Sequence, residues 1–543
     1  MKKIVQSSLV WDVESVTWYH EWLLYTYSVA SLGYLAWLLF FTLNWTAWFA
    51  LPLIIAEVYR IFFSTVSLLC AREIAYPRYI KPLKDATVDV LIPTYNEPIE
   101  IVRLTTENAL KIKGVQKVFV LDDGNRPSVK KMAQELGAEY AARTTNEHAK
   151  AGNMNNGLKY STSEYLIMLD ADHVPQSNFI TRTLGYFIDS NLALVQTPQS
   201  FYNMKSIQHM PTPSDPDWNE QTMFYESIQP AKNVFNAAFF VGTSAILRRA
   251  AIDSVGGFAT GTAAEDIHTS IRIHNKGWKT IFINEKLAYG LAPEDLKEYH
   301  KQRVRWGAGS LGLLFRSSDS PLRLKNLTFM QRISYLNSTL AYAQGIFKLF
   351  FYILPLTIIL SPATAFRVSF FAFMSIYFPY YLFSQWITKV YSRNTYRPLY
   401  TEQFNIINII SNFESLKGIV KMQKKFSVSI KIKKKKENSF IFGLLIFMDI
   451  CMVLGEGYGF FRSSQFMSNS HAYFPPDSLL MALFWNAINI GFLSSVLRHL
   501  YRYNSQQQKV RSASATLIKQ YSSGEYQTFI GTHIQDAGYA FQT

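Results

Sequence analysis

Two groups of side chains have types and spacings that suit chemistry on a carbohydrate. Glu265 and Asp266 are adjacent acids, and Gln302, Arg305 and Trp306 follow them at short helical offsets. A carboxylate can deprotonate an attacking hydroxyl, which typically contributes about 10²–10⁴ in rate. A planar guanidinium suits a departing phosphate, and an indole can stack on a sugar ring. These residues predict a glycosyl transfer site in which Asp266 is the general base and Glu265 helps to position it.

Each of these residues also has an ordinary structural interpretation. Acids are favoured in the first turn of a helix by the helix dipole, which would explain Glu265 and Asp266. A tryptophan before an apolar segment is often an interface anchor. For Trp306, the Gln and Arg at fixed offsets and the upstream acids favour the catalytic interpretation.

A second set of candidate residues lies upstream, in Asp122-Asp123-Gly124, Lys150-Ala151-Gly152 and Asp170-Ala171-Asp172. Two carboxylates one residue apart could hold Mg²⁺ or Mn²⁺ against a diphosphate, or could form an acidic loop that caps the next helix. Asp-Gly is common turn chemistry. A lysine followed by a glycine could approach a nucleotide closely, although a surface lysine is the simpler interpretation of Lys150.

The elements that must position these residues alternate between strands and helices. Apolar runs predict strands at Val88–Pro93, Val118–Leu121 and Tyr165–Leu169, and helical patterns lie at Ile99–Leu110 and Ser128–Leu136. Alternating strands and helices predict a mostly parallel sheet, whose ligands bind beyond the carboxyl ends of the strands. The upstream acids fall at those ends.

Apolar segments long enough to cross a membrane flank this region. Six spans are predicted: Trp22–Leu43, Trp45–Leu69, Ile346–Ile359 with its flanks, Val368–Ile387, Phe440–Tyr458 and Leu479–Leu497. Basic residues on both sides of the first two spans place both ends of that hairpin in the cytoplasm. No cleaved signal peptide is expected, and Glu402–Met422 has the periodicity of an interfacial amphipathic helix. Asp449 and Glu456 are expected to face a cavity or a partner, with a polymer channel as one possibility.

Composition limits the class of protein. The 543 residues are 49% hydrophobic, in blocks, and carry a formal charge of +15. Much of the positive charge adjoins the apolar blocks, so membrane topology explains it better than nucleic-acid binding. Two cysteines, Cys70 and Cys451, exclude a disulfide framework and a cysteine-rich zinc site.

Taken in order, the motifs resemble those of the membrane-embedded processive family 2 glycosyltransferases, and most closely bacterial cellulose synthase catalytic subunits. The resemblance spans roughly residues 15 to 500. Its motifs are Asp122–Gly124, Asn146–Asn153, Asp170–Pro175, Gln196–Pro198, Phe239–Gly242, Glu265–Asp266 and Gln302–Trp306.

The resemblance implies an α/β domain of GT-A type, inserted between about six transmembrane helices with interfacial amphipathic helices. Chain extension from a UDP-sugar would proceed with inversion, and the polymer would leave through the membrane. Implied donor-binding residues are Asp122, Asp123, Lys150, Asp170, Asp172, Gln302 and Arg305, with Asp170 and Asp172 at the metal. Implied acceptor-binding residues are Trp306 and a collar of Phe239, Phe240 and Gly242.

A gating loop over the nucleotide is implied at Phe426, Val428, Ser429 and Lys431, where Ser429 replaces the usual Thr. A basic amphipathic linker is the alternative for that stretch. Ala264 and Val241 replace a usual Thr and Cys, which leaves linkage and acceptor preference open. The polar stretch after Tyr501 is expected to be too short for the PilZ domain that binds cyclic-di-GMP, so control by that dinucleotide is not expected.

These observations predict a division into six parts: an N-terminal segment and hairpin (1–85), a cytoplasmic GT-A domain (86–330), transmembrane helices (331–390), an interfacial helix and gating loop (391–437), transmembrane helices (438–502) and a polar tail (503–543). We expect a plasma-membrane or inner-membrane β-glucan synthase that uses UDP-glucose and a growing polysaccharide acceptor, with Mg²⁺ or Mn²⁺ and with the lipid bilayer around its helices. Accessory subunits remain open. The alternatives are a hyaluronan-like or chitin-like synthase using N-acetylated donors, or a non-processive transferase acting on a membrane lipid.

Overall fold

A mixed sheet between two groups of apolar helices forms the framework of the chain. The computed structural model describes residues 9–16, 18–203, 206–210, 218–361, 366–421, 440–470 and 475–521. The strands are β1 (Trp11–Ser15), β2 (Glu73–Pro77), β3 (Val88–Thr94), β4 (Lys117–Asp122), β5 (Glu139–Ala142), β6 (Tyr165–Met168), β7 (Val174–Pro175), β8 (Leu192–Gln196), β9 (Ser200–Phe201), β10 (Ala245–Arg248), β11 (Lys279–Phe282) and β12 (Ala288–Gly290).

The helices before the second membrane region are α1 (Trp18–Trp37), α2 (Ala50–Cys70), α3 (Ile99–Ala109), α4 (Pro127–Leu136), α5 (Ala149–Gly157), α6 (Phe179–Thr183), α7 (Gln229–Asn233), α8 (Arg249–Ser254), α9 (Glu265–Asn275) and α10 (Leu296–Arg316). They are followed by α11 (Phe329–Leu340), α12 (Gln344–Leu360), α13 (Phe370–Tyr391), α14 (Pro398–Ser415), α15 (Lys417–Val420), α16 (Phe440–Ser470) and α17 (Asp477–Tyr521). Short 3₁₀ or π-helical turns lie at Leu38–Thr42, Leu184–Ile188, Ile207–His209, Phe224–Ile228 and Ala341–Ala343.

The principal sheet has seven strands in the order β11-β8-β10-β6-β3-β4-β5. Strand β10 is antiparallel to both of its neighbours, and the remaining neighbours are parallel. The predicted mostly parallel sheet is therefore confirmed, with one antiparallel insertion. All seven residues of β3 are buried, as expected for a strand covered on both faces. Val90 and Ile92 pack into one apolar cluster, and Leu91 packs into another.

The three predicted strands match β3, β4 and β6, and the two predicted helices match α3 and α4. Strand β3 continues one residue past Pro93 to Thr94, which is level with Asp122 at the end of β4. Asp122 is in turn level with Ala142, the last residue of β5. Residues that follow these strands therefore gather at one edge of the sheet.

Five helices in the described ranges are long and apolar enough to cross a membrane: Glu21–Thr42, Ala50–Cys70, Phe329–Leu360, Phe440–Ser470 and Asp477–Ser505. The fourth predicted span, Val368–Ile387, falls on α13, which is a 22-residue helix outside this set of five. Tyrosine, serine and glutamine side chains make α13 less apolar. By length and hydropathy, the described residues therefore contain five candidate spans, whereas six were predicted. The third span is also longer than predicted, because α11 and α12 form one apolar stretch.

The ends of the first helical hairpin meet in a two-stranded sheet, in which β1 pairs antiparallel with β2. The two chain segments that flank α1 and α2 therefore lie on the same side of that hairpin, as the basic residues predicted. The C-terminal region differs from expectation, because α17 continues as a helix to Tyr521, well into the stretch predicted as a polar tail.

The predicted interfacial helix, Glu402–Met422, corresponds to α14 and α15. Its apolar side is buried at Phe404, Ile407 and Ile409, and α14 packs against α10, α12 and α17. The amphipathic pattern therefore reflects contact with protein along much of this helix. Helix α14 therefore joins α10 of the α/β domain to α12 and α17, which belong to the group of long apolar helices that we call the apolar bundle.

Candidate active site

The two groups of predicted catalytic residues lie on two helices that touch. Glu265 and Asp266 form the first turn of α9, and Gln302, Arg305 and Trp306 lie on α10. A Cβ at Gly309 would be 2.9 Å from the backbone nitrogen of Ala264. Such a contact is too short for any side chain, so glycine allows α10 to pack directly on the start of α9.

Asp266 lies in an environment that disfavours its charge. Burial, followed by the negative charge of Glu265, raises the pKa of Asp266 to about 7. Its Oδ1 accepts a hydrogen bond from the Ile267 backbone N–H at 2.8 Å. A carboxylate with a pKa near neutrality can both take and hold a proton at physiological pH, which suits a general base. Asp266 is a first-turn acid, as the structural interpretation expected, and its role as general base stays a prediction.

Lys150 connects the upstream acids to Asp266. Its Nζ lies 2.5 Å from Asp170 Oδ1 and donates a hydrogen bond to the Gly242 carbonyl at 2.7 Å. Burial opposes its charge, but Asp170, Glu265 and Asp266 together raise the pKa of Lys150. Lys150 is therefore a charged residue of the site and not a surface lysine.

Gly242 is the point at which the backbone approaches these charges. Its φ of +91° is a left-handed conformation that side chains rarely adopt, and a Cβ there would lie 3.3 Å from both Asp266 Oδ2 and Lys150 Nζ. Gly242, predicted to bind the acceptor, lies between Asp266, the predicted general base, and Lys150, a predicted donor-binding residue. Its lack of a side chain leaves room beside Asp266.

Asp123 and Asp122 differ although they are adjacent. Asp123 pairs with Arg143, whose Nη2 lies 2.7 Å from Asp123 Oδ2. Burial raises the pKa of Asp123, and Arg143 opposes that rise. Asp122 is fully buried and accepts hydrogen bonds from Arg126, Tyr140 and the Gly124 backbone. Asp122 therefore holds the turn, and Asp123 is the more exposed of the two carboxylates.

Arg143 was missed by sequence reasoning, although a signal was present. It directly follows β5, the strand next to β4, so its side chain emerges at the same sheet edge as Asp123. Asn153, within the matched motif, ties α5 to the end of β4 by donating to the Leu121 carbonyl at 2.6 Å. Lys150 at the start of α5 is thereby fixed against the sheet.

Asp170, Asp172 and His173 form a group that could bind a divalent cation. One ligand atom from each lies within 4.8 Å of the others. Asp172 and His173 are buried, and the Asp170 backbone N–H donates to Thr243 Oγ1 at 2.9 Å, which anchors the loop. Two carboxylates and an imidazole fit Mn²⁺ or Mg²⁺ by donor type.

Two predicted donor-binding residues, Gln302 and Arg305, lie on α10. Burial lowers the pKa of Arg305, and the negative charges of Glu265, Asp170 and Asp266 counter that effect. Gln302 Oε1 has no hydrogen-bond partner among the described residues and is buried. A buried acceptor without a partner is costly, so it is expected to bind a ligand group.

Trp306 has a neighbour that sequence reasoning missed. The guanidinium of Arg303 lies 4.5 Å from the centre of the Trp306 ring and 4.7 Å from that of Tyr299, and it forms an ion pair with Glu220. Arg303 is three residues before Trp306, so helical spacing offered a signal. Glu220 lies on a distant loop, and no local pattern points to it.

The collar residues divide between cavity and core. Phe239 and Val241 line a cavity, and Phe240 is absent from its described lining. Phe240 is instead fully buried in the cluster behind the sheet, with its ring 6.2 Å from that of Phe258. Alternate residues of an extended segment point to opposite sides, so the structure corrects the prediction that Phe240 binds the acceptor.

The cavity joins the predicted catalytic residues to the apolar helices. Its volume is about 840 Å³, and Asp266 and Trp306 line one part of it. Side chains of the apolar helices α1, α13 and α17 line much of the rest, among them Tyr34, Tyr377 and Trp485. The catalytic helices and the apolar bundle therefore share one continuous space.

Two other predicted features lie away from this cavity or outside the described residues. Asp449 accepts a hydrogen bond from Ser494, and Glu456 accepts one from Asn486. In the described structure both acids face α17 and neither lines the cavity, so a partner helix explains them better than a channel. The proposed gating loop, Phe426, Val428, Ser429 and Lys431, falls in residues 422–439, outside the described residues.

The sequence matches two family models. Residues 86–309 match the model described as glycosyltransferase like family 2, and residues 253–448 match the model described as cellulose synthase. With the mixed sheet and its flanking helices, the first match defines a GT-A-type glycosyltransferase domain.

More specifically, residues 86–309 match the family 2 glycosyltransferases, and the chain is similar to bacterial cellulose synthase catalytic subunits. It is 38% identical to cellulose synthase 1 catalytic subunit [UDP-forming] of Komagataeibacter xylinus, over 61% of this chain and 46% of that protein. It is 36% identical to cellulose synthase catalytic subunit [UDP-forming] of Pseudomonas fluorescens, over 63% of this chain and 48% of that protein. The chain thus spans less than half the length of these relatives. The resemblance inferred from the motifs is confirmed.

Solved structures with similar folds are more distant. A mannosyltransferase from Pyrobaculum calidifontis, in complex with GDP-Man and Mn²⁺, has a TM-score of 0.44 and 14% identity, and covers 74% of this chain and 99% of its own. Glucosyl-3-phosphoglycerate synthase from Mycobacterium tuberculosis, in complex with Mn²⁺, UDP and glucosyl-3-phosphoglycerate, has a TM-score of 0.31 and 16% identity. It covers 42% of this chain and 79% of its own.

Proposed function

We propose that this protein is a processive, inverting β-glucan synthase that polymerises glucose from UDP-glucose and passes the product through its own membrane helices. The observation that carries the proposal is the cavity of about 840 Å³, which Asp266 and Trp306 share with the apolar bundle. A transferase that releases its product into water has no need of such a space. The relatives with UDP-forming cellulose synthase names support the choice of donor.

The donor would bind at the carboxyl edge of the sheet. Asp123, held by Arg143, accepts hydrogen bonds from the uracil or ribose. Lys150 and Arg305 provide positive charge for the diphosphate, and Asp170 and Asp172 hold Mg²⁺ or Mn²⁺ with His173 beside them. The cation, when bound, lowers the charge of the leaving diphosphate.

In the transfer step, Asp266 takes the proton of the acceptor hydroxyl as its oxygen attacks the anomeric carbon. A new C–O bond forms on one face of the sugar while the bond to the diphosphate breaks on the other. The bonding pair leaves with UDP, so the configuration inverts. Since Asp266 must be ionised to act, the rate is expected to rise with pH through about 7.

The acceptor end of the growing polymer would stack on Trp306. Arg303, between Tyr299 and Trp306, restricts the indole, and Glu220 fixes Arg303 in turn. An aromatic ring at this position holds a sugar by its flat face and also lets it slide by one unit. Both properties suit repeated addition to one chain.

The apolar helices would place the protein in the plasma or inner membrane, with the α/β domain in the cytoplasm where UDP-glucose is made. The pairing of β1 with β2 supports a common side for both ends of the first hairpin. The polymer therefore grows away from the nucleotide pool.

Polymer synthesis by the purified protein in lipid vesicles tests this proposal. UDP-glucose, UDP-GlcNAc, and UDP-GlcNAc with UDP-GlcA are compared in the presence of Mg²⁺, with Asp266→Asn as the control. We expect high-molecular-weight polymer from UDP-glucose alone and none from Asp266→Asn. Polymer only from N-acetylated donors would favour a chitin-like or hyaluronan-like synthase, and transfer of single sugars to lipid would contradict processive synthesis.

A further inference from the structure

Six of the eight charged residues in the described lining of the cavity form three ion pairs. Glu57 lies 2.7 Å from Arg60 on α2, and Lys348 on α12 lies 2.5 Å from Glu402 on α14. Glu220 and Arg303 form the third ion pair, beside Trp306. These three pairs are distributed from the catalytic end to the apolar helices, and each joins one acid to one base.

The carboxylates in these pairs have further partners. Asn405 donates to Glu402 at 3.2 Å, and Asn408 donates to Glu220 at 3.1 Å. Arg60 donates to Glu57 through both Nε and Nη2, at 2.9 and 2.7 Å. Pairs held by several hydrogen bonds are not easily separated to neutralise a passing charge.

The other two charged side chains in the described lining, Lys232 and Asp266, have opposite formal charges. Lys232 is buried, and its Nζ donates to the carbonyl and the hydroxyl of Ser334 at 2.8 and 2.7 Å. Asp266 is the acid at the catalytic end. The described wall thus has four basic and four acidic residues, and its formal charge is zero.

The rest of the wall offers aromatic rings and uncharged polar groups. Trp306, Tyr342 and Trp485 can stack on sugar rings, and Asn337, Asn412 and Asn489 can hydrogen-bond hydroxyls. A carboxylate on every second sugar would meet three cations that are already paired with acids, and a lysine, Lys232, whose Nζ is already bonded to Ser334. Burying an unpaired charge is costly, so the wall suits hydroxyls alone.

We propose that the three ion pairs make the cavity selective for an uncharged polysaccharide and exclude one that contains uronic acids. This inference rests on the proposed function in that the cavity is taken as the path of the product. On this proposal, the cavity accepts neutral glucan-like and chitin-like polymers and excludes hyaluronan-like polymers because of their charge. Breaking one pair on its acidic side would leave a cation that favours an anionic chain.

Binding of oligosaccharides to the full-length protein in nanodiscs tests the inference. Cellohexaose is compared with the same oligosaccharide oxidised to carboxylates at C6, by quenching of intrinsic tryptophan fluorescence. We expect the neutral oligosaccharide to bind at least about tenfold more tightly. In Glu402→Gln, where Lys348 loses its partner, the ratio should fall toward one, and in the double variant Glu402→Gln/Lys348→Gln the preference should return.

Glu57→Gln and the double variant Glu57→Gln/Arg60→Gln repeat the comparison at a second pair. Equal or tighter binding of the oxidised oligosaccharide by the unaltered protein would overturn the inference. The inference would also fail if the ratio of the two affinities were the same in the single variants as in the unaltered protein. Uronic acid-containing polymer from UDP-GlcNAc with UDP-GlcA would also overturn it while leaving glycosyl transfer intact. Absence of polymer from any donor would defeat the proposed function, but the binding ratio would still decide the charge preference.

Discussion

Asp266 is predicted to cost the folded protein stability in a way that depends on pH. Its pKa of about 7 in the folded protein compares with 3.8 for an ordinary aspartate, and burial followed by the charge of Glu265 causes the difference. A folded-state pKa above the unfolded value means that stability is fully present below the unfolded pKa. That stability is lost as the pH rises through the folded pKa.

The magnitude follows from the two values. One pKa unit corresponds to about 1.4 kcal/mol, so ionisation of Asp266 costs up to about 4 kcal/mol above pH 7 and about 2 kcal/mol at pH 5. Replacement by Asn removes this dependence. The stability of Asp266→Asn relative to the unaltered protein should therefore increase by about 3 kcal/mol from pH 5 to pH 8.

The midpoint of thermal unfolding in nanodiscs, measured at several pH values, would test this prediction. Asp266→Asn should melt higher than the unaltered protein at pH 8, and the difference should shrink toward pH 5. Asp253→Asn, which removes an exposed carboxylate paired with Arg249 at 3.4 Å, is the control for loss of an acid in this domain. A difference between Asp266→Asn and the unaltered protein that stays constant with pH would refute the raised pKa.

Two further substitutions test how the site is positioned and how it binds the donor. Gly309→Ala should lower kcat about 10- to 100-fold, because its Cβ would be 2.9 Å from the Ala264 nitrogen and would displace the start of α9. The control is Gly443→Ala, which has open space around the added Cβ and should leave kcat unchanged. Equal rates for both variants would contradict this account. Arg143→Gln should weaken UDP binding about tenfold by calorimetry, because it leaves Asp123 buried without its counter-charge and raises the pKa of Asp123 further. Unchanged UDP affinity would remove Asp123 and its partner from the donor site.

The parts of the fold that the sequence predicted well depend on local pattern. Strands β3, β4 and β6 each contain a short run of apolar residues, so their positions followed from composition and length. The acids after them were then placed at one sheet edge by topology. Strand β10 was missed, because its four residues resemble any short apolar segment and its antiparallel pairing with β6 and β8 depends on distant partners.

The parts that were missed depend on contacts between distant segments. Phe239 and Phe240 look alike in sequence, and only the extended backbone between α7 and β10 separates the cavity residue from the core residue. Glu220 reaches Arg303 across 83 residues. Local patterns do not encode such pairs, nor do they reveal the cavity that these pairs border.

The location of newly made polymer tests the central claim most directly. Proteoliposomes are supplied with UDP-glucose from outside, so that only molecules with an outward-facing α/β domain are active, and a glucanase is then added with or without detergent. If product passes from Trp306 into the cavity and across the bilayer, the polymer should resist the glucanase until detergent opens the vesicles. Complete digestion without detergent would show that the polymer stays on the side of the nucleotide and would contradict the account.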